Sequence, residues 1–212
     1  LHQGQTISVL MHSSTPSTPL AIIGFGDELK STATAAISAL HRLQIRTVML
    51  SGDNSAAAAR VGKSIGIDEV FGQVLPSNKA EIIHRLQSSG QDHSRQYVAM
   101  VGDGVNDAPA LASADVGIAM GSGTDIAIES AGIALIRPDP RLAPAAISLA
   151  RRAVSTIRLG LFWAFAYNVV GIPLAAFGLL SPEVAGGAMA LSSVSVVLNA
   201  LTLQLWRPRL EF

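Results

Sequence analysis

The chain contains no cysteine, which excludes disulfides, thiolate metal sites and a cysteine nucleophile within it. An excess of charge of either sign is also missing: 15 Lys and Arg stand against 15 Asp and Glu over 212 residues. No overall field therefore argues for nucleic acid or an acidic partner. Nothing matches G-x-x-x-x-G-K-[ST], so a P-loop is excluded. No charged segment followed by an apolar run and a cleavage site stands near Leu1, and no internal repeat is present. Charged residues make up only 14% of the chain, and a mean hydropathy of +0.41 is too apolar for a soluble domain. Beginning at Leu1 rather than at Met, the sequence is expected to be a piece of a longer one.

The shortage of charge is local. Residues 159–180 and 184–205 contain no Asp, Glu, Lys or Arg, and each run is long enough to cross a bilayer core as a helix. Only Ser181-Pro182-Glu183 joins them, which predicts an antiparallel hairpin. Arg151, Arg152 and Arg158 flank its beginning and Arg207 and Arg209 its end. The positive-inside rule then places both ends, and everything before them, in the cytoplasm.

The preceding part reads as alternating strands and helices. Residues 6–11 suit a strand and residues 12–19 an exposed loop, read together as the end of a neighbouring domain. Residues 20–25 suit a buried strand, and 31–43 a helix with Ala35, Ala36, Ala39, Leu40 and Leu43 at helical spacing. A strand at 47–50, an Ala-rich helix at 56–65 closed by Gly66, a strand within 68–74 and a helix from Pro76 to Leu86 continue the pattern. A buried strand at 97–101, a helix at 107–114, a strand at 116–120, a Gly-rich turn at 121–123, a short helix and a strand at 133–136 complete it. Such alternation predicts a parallel sheet covered by helices. Residues 141–158 form an amphipathic connector into the hairpin, and 206–212 a short tail.

The stretch Met100-Val101-Gly102-Asp103-Gly104-Val105-Asn106-Asp107-Ala108-Pro109 carries the most chemistry. It packs two carboxylates and an amide into a Gly-rich turn after an apolar run, where parallel sheets hold their ligands. Gly102 and Gly104 permit close backbone approach, and Asp103 and Asp107 offer the hard oxygens that Mg²⁺ prefers. Gly-Asp-Gly alone is also compatible with an ordinary turn. Ser51-Gly52-Asp53 follows another strand and Lys79 opens a helix, so a hydroxyl, a cation and two carboxylates can converge on one edge as a phosphoryl-transfer site. A carboxylate nucleophile in a recognisable setting is missing. Asp27 follows a strand but is trailed by Glu28-Leu29-Lys30, which offers no phosphate cradle.

In the apolar runs, Tyr167-Asn168 and Met189-Ala190-Leu191-Ser192-Ser193 are the polar interruptions. Polar groups in lipid mark a transport path or bond across helices, and Gly186 with Ala190 forms a small-residue face suited to packing. Met189 and Ser193 share a helix face, and a thioether suits a soft ion. Pro173 permits a kink in the first run.

Together these residues resemble the P-type ATPases, and within them the heavy-metal branch that exports Cu(I). Residues 102–109 resemble that family's hinge motif, Ser51-Gly52-Asp53 its Thr-Gly-Asp, Pro76 to Lys79 its Pro-x-x-Lys. The resemblance covers nearly the whole chain from about Leu20. It implies a Rossmann-like α/β phosphorylation domain of the haloacid-dehalogenase type at 20–140, followed by two transmembrane helices. It also implies ATP as substrate, an aspartyl-phosphate, and Asp103 and Asp107 as Mg²⁺ ligands. Lys79 and Ser51 would hold the phosphoryl group, with Gly52 and Asp53 in the same motif, and Asn106 and Asp107 would order the site. Tyr167, Asn168, Met189 and Ser193 match the family's Cu(I) ligands position by position. The expected partners are a lipid membrane, a copper chaperone and the missing amino-terminal part, in a multi-pass protein of the plasma or inner membrane. The family's Asp-Lys-Thr-Gly-Thr and Cys-Pro-Cys motifs are not in this sequence, so the chain alone is expected to be inactive. Two rivals remain: a membrane-anchored phosphatase using Asp27, and a non-catalytic split subunit. Ag(I) and Zn²⁺ compete with Cu(I) as cargo.

Overall fold

A computed structural model describes residues 6–11, 19–25, 29–90, 94–103, 105–121 and 125–207. Asp27, Gly104, Arg209, most of the loop read at 12–19 and the turn beyond Gly121 lie outside them. The chain divides into two compact units, residues 1–144 and 145–211.

The first unit alternates as expected. Its elements are β1 (Thr6–Met11), β2 (Pro19–Phe25), α1 (Ala33–Arg42), β3 (Val48–Leu50), α2 (Ser55–Ile65), β4 (Glu69–Phe71), α3 (Pro76–Ser88), β5 (Ala99–Gly102), α4 (Ala108–Ser113), β6 (Val116–Ala119), α5 (Asp125–Ser130) and β7 (Ile133–Ala134). Where one parallel sheet was expected, the ladder is divided: β3 pairs with β4 in a two-stranded sheet, and β5 with β6 and β6 with β7 in a separate three-stranded sheet, all parallel. Small side chains let helices approach this sheet closely. Ala108, Ala110 and Leu111 of α4 and Ile118 and Ala119 of β6 are buried together, and a Cβ on Gly117 would meet the Leu111 carbonyl at 2.7 Å. The Asn54 side chain caps α2 by accepting from Ala57 N–H at 2.8 Å. Gly66, at φ +82°, closes that helix in the left-handed conformation glycine adopts without penalty.

Two carboxylates fix where parallel strands begin. Asp68, just before β4, accepts from the backbone N–H of Thr47, just before β3, at 2.7 Å, and from the Thr47 hydroxyl at 2.8 Å. Asp115, just before β6, accepts from Val98 N–H, just before β5, at 2.9 Å. It also accepts from Gln87 Nε2 of α3 at 3.1 Å and pairs with Arg95. These bonds hold both carboxyls below the ordinary carboxylate range, the backbone N–H being the largest cause in each.

Residues 20–25 depart from expectation. β2 is a strand, but it pairs antiparallel with β1, and its side chains are exposed, Leu20 by 57% and Ile22 by 56%. Apolar composition encodes extended backbone but not which ladder the strand joins. β5 likewise begins two residues late, leaving Tyr97 exposed and Val101 only partly covered.

In the second unit the connector and the first run are not separate. α6 (Leu142–Ala176) runs unbroken through both for 35 residues, about 52 Å at 1.5 Å per residue. Pro173 sits in its last turn, where it removes the N–H that would have bonded the Val169 carbonyl, and Gly178, at φ +70°, follows the helix end. Ser181 caps α7 (Pro182–Leu201), which tightens into a 3₁₀ turn at Thr202–Leu205. Both helices are long and apolar enough to cross a membrane and almost wholly exposed, unlike the core helix of a soluble domain. Asn199 Nδ2 donates to the Thr156 carbonyl at 2.8 Å, and Val196 and Asn199 lie beside Gly160.

Two outcomes test this packing. A Cβ on Gly62 of α2 would lie 2.3 Å from Val70 Cγ2 of β4, so Gly62→Ala should destabilise by about 1–2 kcal/mol net of its better helix propensity. Adding Val70→Ala should remove that penalty for the alanine at 62, read as coupling in a thermal-unfolding cycle. A carboxyl whose folded value is lowered contributes stability above the unfolded value near about 4 and loses it as pH falls through the folded one. Asp115→Asn should therefore lower Tm at neutral pH and flatten its fall between about pH 4 and 2, measured by calorimetry.

Candidate phosphate and magnesium site

The loops after β3, β4 and β5 meet through a continuous run of bonds. After β3, Ser51 Oγ donates to Asp53 Oδ2 at 2.9 Å and accepts from Asp53 N–H at 3.1 Å. The loop is tied to the one after β4: Val74 N–H donates to the Ser51 carbonyl at 2.9 Å and Gln73 N–H to the Asp53 carbonyl at 2.7 Å. That second loop leads into α3, whose first turn carries Pro76 and Lys79. Lys79 Nζ donates to Asp107 Oδ1 at 2.6 Å, with the two side chains only 14% and 13% exposed. Asp107 ends the 3₁₀ turn Val105–Asp107 that follows β5. A Cβ on Gly102 would meet Asp107 Cβ and Oδ2 at 2.8 Å, so only glycine lets this carboxylate lie against the strand end.

The structure thus ties Ser51 and Asp53, which flank Gly52, to the loop that opens α3, and Lys79 of α3 to Asp107. Asp103 and Asn106 stand at the same strand end with exposed side chains. This donor set fits Mg²⁺, which keeps several waters and needs one or two carboxylates: Asp103 is accessible, and Asp107 retains Oδ2 beside Gly102. No group of three or more His, Cys, Asp or Glu suited to a metal occurs among the described residues.

Sequence reasoning missed Gln73. Its φ of +56° turns the chain so that its N–H reaches Asp53, and a left-handed glutamine leaves no compositional signal. It also missed Asn199, although an amide within a charge-free run must find an acceptor.

Of the ion-ligand residues, Tyr167 and Asn168 lie on α6 and Met189 and Ser193 on α7. Asn168 Nδ2 donates to the Ala164 carbonyl at 2.7 Å and Ser193 Oγ to the Met189 carbonyl at 3.3 Å. The Tyr167 ring packs against Trp163 at 6.2 Å, and the Met189 side chain is exposed. No hydrogen bond or ring contact joins the pair on α6 to the pair on α7. The antiparallel register nonetheless puts them at similar depth. Gly160 lies against Val196, and seven residues onward on α6 and seven back on α7 bring Tyr167 level with Met189.

Residues 2–115 match the haloacid dehalogenase-like hydrolase family, and the chain belongs to that family. Its relatives are narrower. It is 53% identical to a copper-exporting P-type ATPase of Staphylococcus haemolyticus over 183 residues, which is 86% of this chain and 22% of that protein. A copper-exporting P-type ATPase of Staphylococcus aureus is also 53% identical, over 88% of this chain and 23% of its own length. A crystal structure of a zinc-transporting PIB-type ATPase in its E2.Pi state superposes with a TM-score of 0.81 at 36% identity, covering 95% of this chain and 32% of that one. The resemblance to heavy-metal P-type ATPases is therefore shown, and the chain spans under a quarter of the curated relatives' length.

Truncating either partner of the Lys79–Asp107 pair leaves a mostly buried charge without its counter-ion. A thermal-unfolding cycle of Lys79→Met, Asp107→Ala and the double variant should show a coupling of about 1–3 kcal/mol.

Proposed function

We propose that this chain is the phosphorylation domain (residues 20–140) and a membrane hairpin of an ATP-driven Cu(I) exporter that works through an aspartyl-phosphate. The observation that carries the reading is the Lys79–Asp107 pair closed over Gly102, in a chain that also presents a thioether and an amide at one depth in an apolar hairpin. In this reading Ser51 and the backbone N–H groups of Gly52 and Asp53 take phosphoryl oxygens, and Lys79 neutralises them. Asp103 and Asp107 would hold Mg²⁺, which would shield the charge of phosphoryl oxygens from an attacking carboxylate. Asn106 and Asp107 order the turn that presents them.

Lys79 changes partners in this scheme. An incoming phosphoryl group competes with Asp107 for the ammonium and frees Asp107 Oδ1. The attacking carboxylate is supplied from outside residues 1–212, so the isolated chain binds but does not turn over.

Met189, Ser193, Tyr167 and Asn168 carry the ion. A thioether ligand favours Cu(I) over Zn²⁺, and the higher identity to copper-exporting relatives supports the same choice over the zinc-transporting one. The hairpin lies in the plasma or inner membrane of a multi-pass protein with the α/β unit in the cytoplasm. A copper chaperone delivers the ion.

The test uses the intact reading frame and the isolated chain side by side. The chain alone should take no acid-stable, hydroxylamine-labile phosphate from ATP, whereas the intact protein should. In the intact protein Asp103→Asn should abolish phosphorylation by ATP, and Met189→Ala should cut Cu(I)-stimulated hydrolysis at least about tenfold. Stimulation by Zn²⁺ but not Cu(I) would reassign the cargo.

A further inference from the structure

The residues proposed to hold the ion sit in pairs on two helices, Tyr167 and Asn168 on α6 and Met189 and Ser193 on α7. Whether they meet depends on how the helices are aligned. Each helix has a partly covered face: Thr156, Gly160, Ala164 and Tyr167 recur at spacings of three or four residues on α6, and Ala188, Ser192, Val196 and Asn199 do so on α7. Two observations join these faces into a seam. Asn199 Nδ2 donates to the Thr156 carbonyl at 2.8 Å, and Val196 lies beside Gly160. Counting onward from those pairs along antiparallel helices sets Ala164 level with Ser192 and Tyr167 level with Ala188.

Each step along a helix turns by about 100°, so the residue after a seam position stands on the flank of the helix pair. On antiparallel helices, equal steps along the two chains turn toward the same flank. Asn168 follows Tyr167, Met189 follows Ala188 and Ser193 follows Ser192, and all three are exposed. This register therefore places an amide, a thioether and a hydroxyl on one flank, with Tyr167 at its edge.

Packing alone does not select that register. The facing side chains are mostly small, and such faces fit nearly as well when slipped by one turn, about 5.4 Å. The Asn199 bond does select. A helical side chain overhangs the carbonyl one turn before it, and Gly160 leaves the Thr156 carbonyl bare, whereas one turn away in either direction the carbonyl is overhung by Ala164 or by Thr156 itself. We infer that Asn199 is a positioning residue for the ion: its bond to the Thr156 carbonyl fixes the register that brings Asn168, Met189 and Ser193 onto one flank beside Tyr167. A single amide in an apolar seam sets the register of coiled coils in the same way. The inference rests on the ion site proposed above.

Register is read first, in the chain itself. It has no cysteine, so two introduced cysteines report only on each other. In phosphatidylcholine vesicles with iodine as oxidant, Ala164→Cys with Ser192→Cys, the level pair, should close an intramolecular disulfide faster than Ala164→Cys with Ala188→Cys, the pair one turn out of level. Asn199→Leu should reduce that preference by about three- to tenfold. Asn199→Gln, which keeps an amide, should restore part of it, with helix content by circular dichroism the same in all. In the intact protein Asn199→Leu should raise the Cu(I) concentration for half-maximal hydrolysis about tenfold while the rate at saturating Cu(I) falls far less, a split that loss of fold would not give. Equal disulfide rates for the two pairs overturn the inference, as does an Asn199→Leu chain that keeps the preference or an Asn199→Leu protein with an unaltered Cu(I) response. A Met189→Ala protein with an unaltered Cu(I) response overturns the ion site, and the positioning role with it, whatever the disulfides show.

Discussion

The Lys79–Asp107 pair is the contact on which the rest of the site depends. A cation in the first turn of a helix faces the positive end of the helix dipole, so Lys79 stands where local electrostatics disfavour it. Asp107 offsets that cost at 2.6 Å, and its own position exists only because Gly102 lacks a Cβ. One glycine, one lysine and one carboxylate thus fix the start of α3 against the end of β5. The bonds from Val74 to Ser51 and from Gln73 to Asp53 extend the constraint to the loop after β3. An ammonium held against its helix dipole by one carboxylate is poised to accept a second anion.

Stability is concentrated at the opposite edge of the same strands. Asp68 and Asp115 do one job twice, each accepting the backbone N–H of the residue that precedes the neighbouring strand. The register pairs Val48 with Glu69 and Ala99 with Val116, so each carboxylate stands one residue ahead of the ladder it starts. With the strand entries fixed there, the loops at the carboxyl ends can carry exposed Asp103, Asn106 and a left-handed Gln73. Strand entries hold the fold, and strand exits present the chemistry.

What the sequence made legible were features with a local cause. Gly66 ends α2 because left-handed backbone favours glycine, and the motif from Gly102 to Pro109 marks a strand exit because its residue types make sense nowhere else. The same locality explains the misses. The apolar run of β2 encodes extended backbone but not its partner, and it pairs with β1 in the open. The change from arginines to an apolar run after Arg158 reads as a break between segments, yet α6 passes through it unbroken. Composition there records a change of solvent, while backbone bonding continues across it. Asp68 and Asp115 carry no local signal of their role, since their partners lie 21 and 17 residues away.

The hairpin shows how polar groups can wait in an apolar run without penalty. Asn168 and Ser193 each donate to a carbonyl four residues earlier on their own helix, so each side chain has one hydrogen bonded by its own backbone. Donation leaves the oxygen lone pairs of both side chains available, because a hydroxyl or amide oxygen can accept while its partner hydrogen is engaged. In the proposed reading a cation takes these lone pairs and leaves the intrahelical bonds in place, because those bonds use hydrogens and the cation does not. The thioether of Met189 would add a soft donor with little hydrogen-bond demand of its own, so the softness of the sulfur would set which cation gains most.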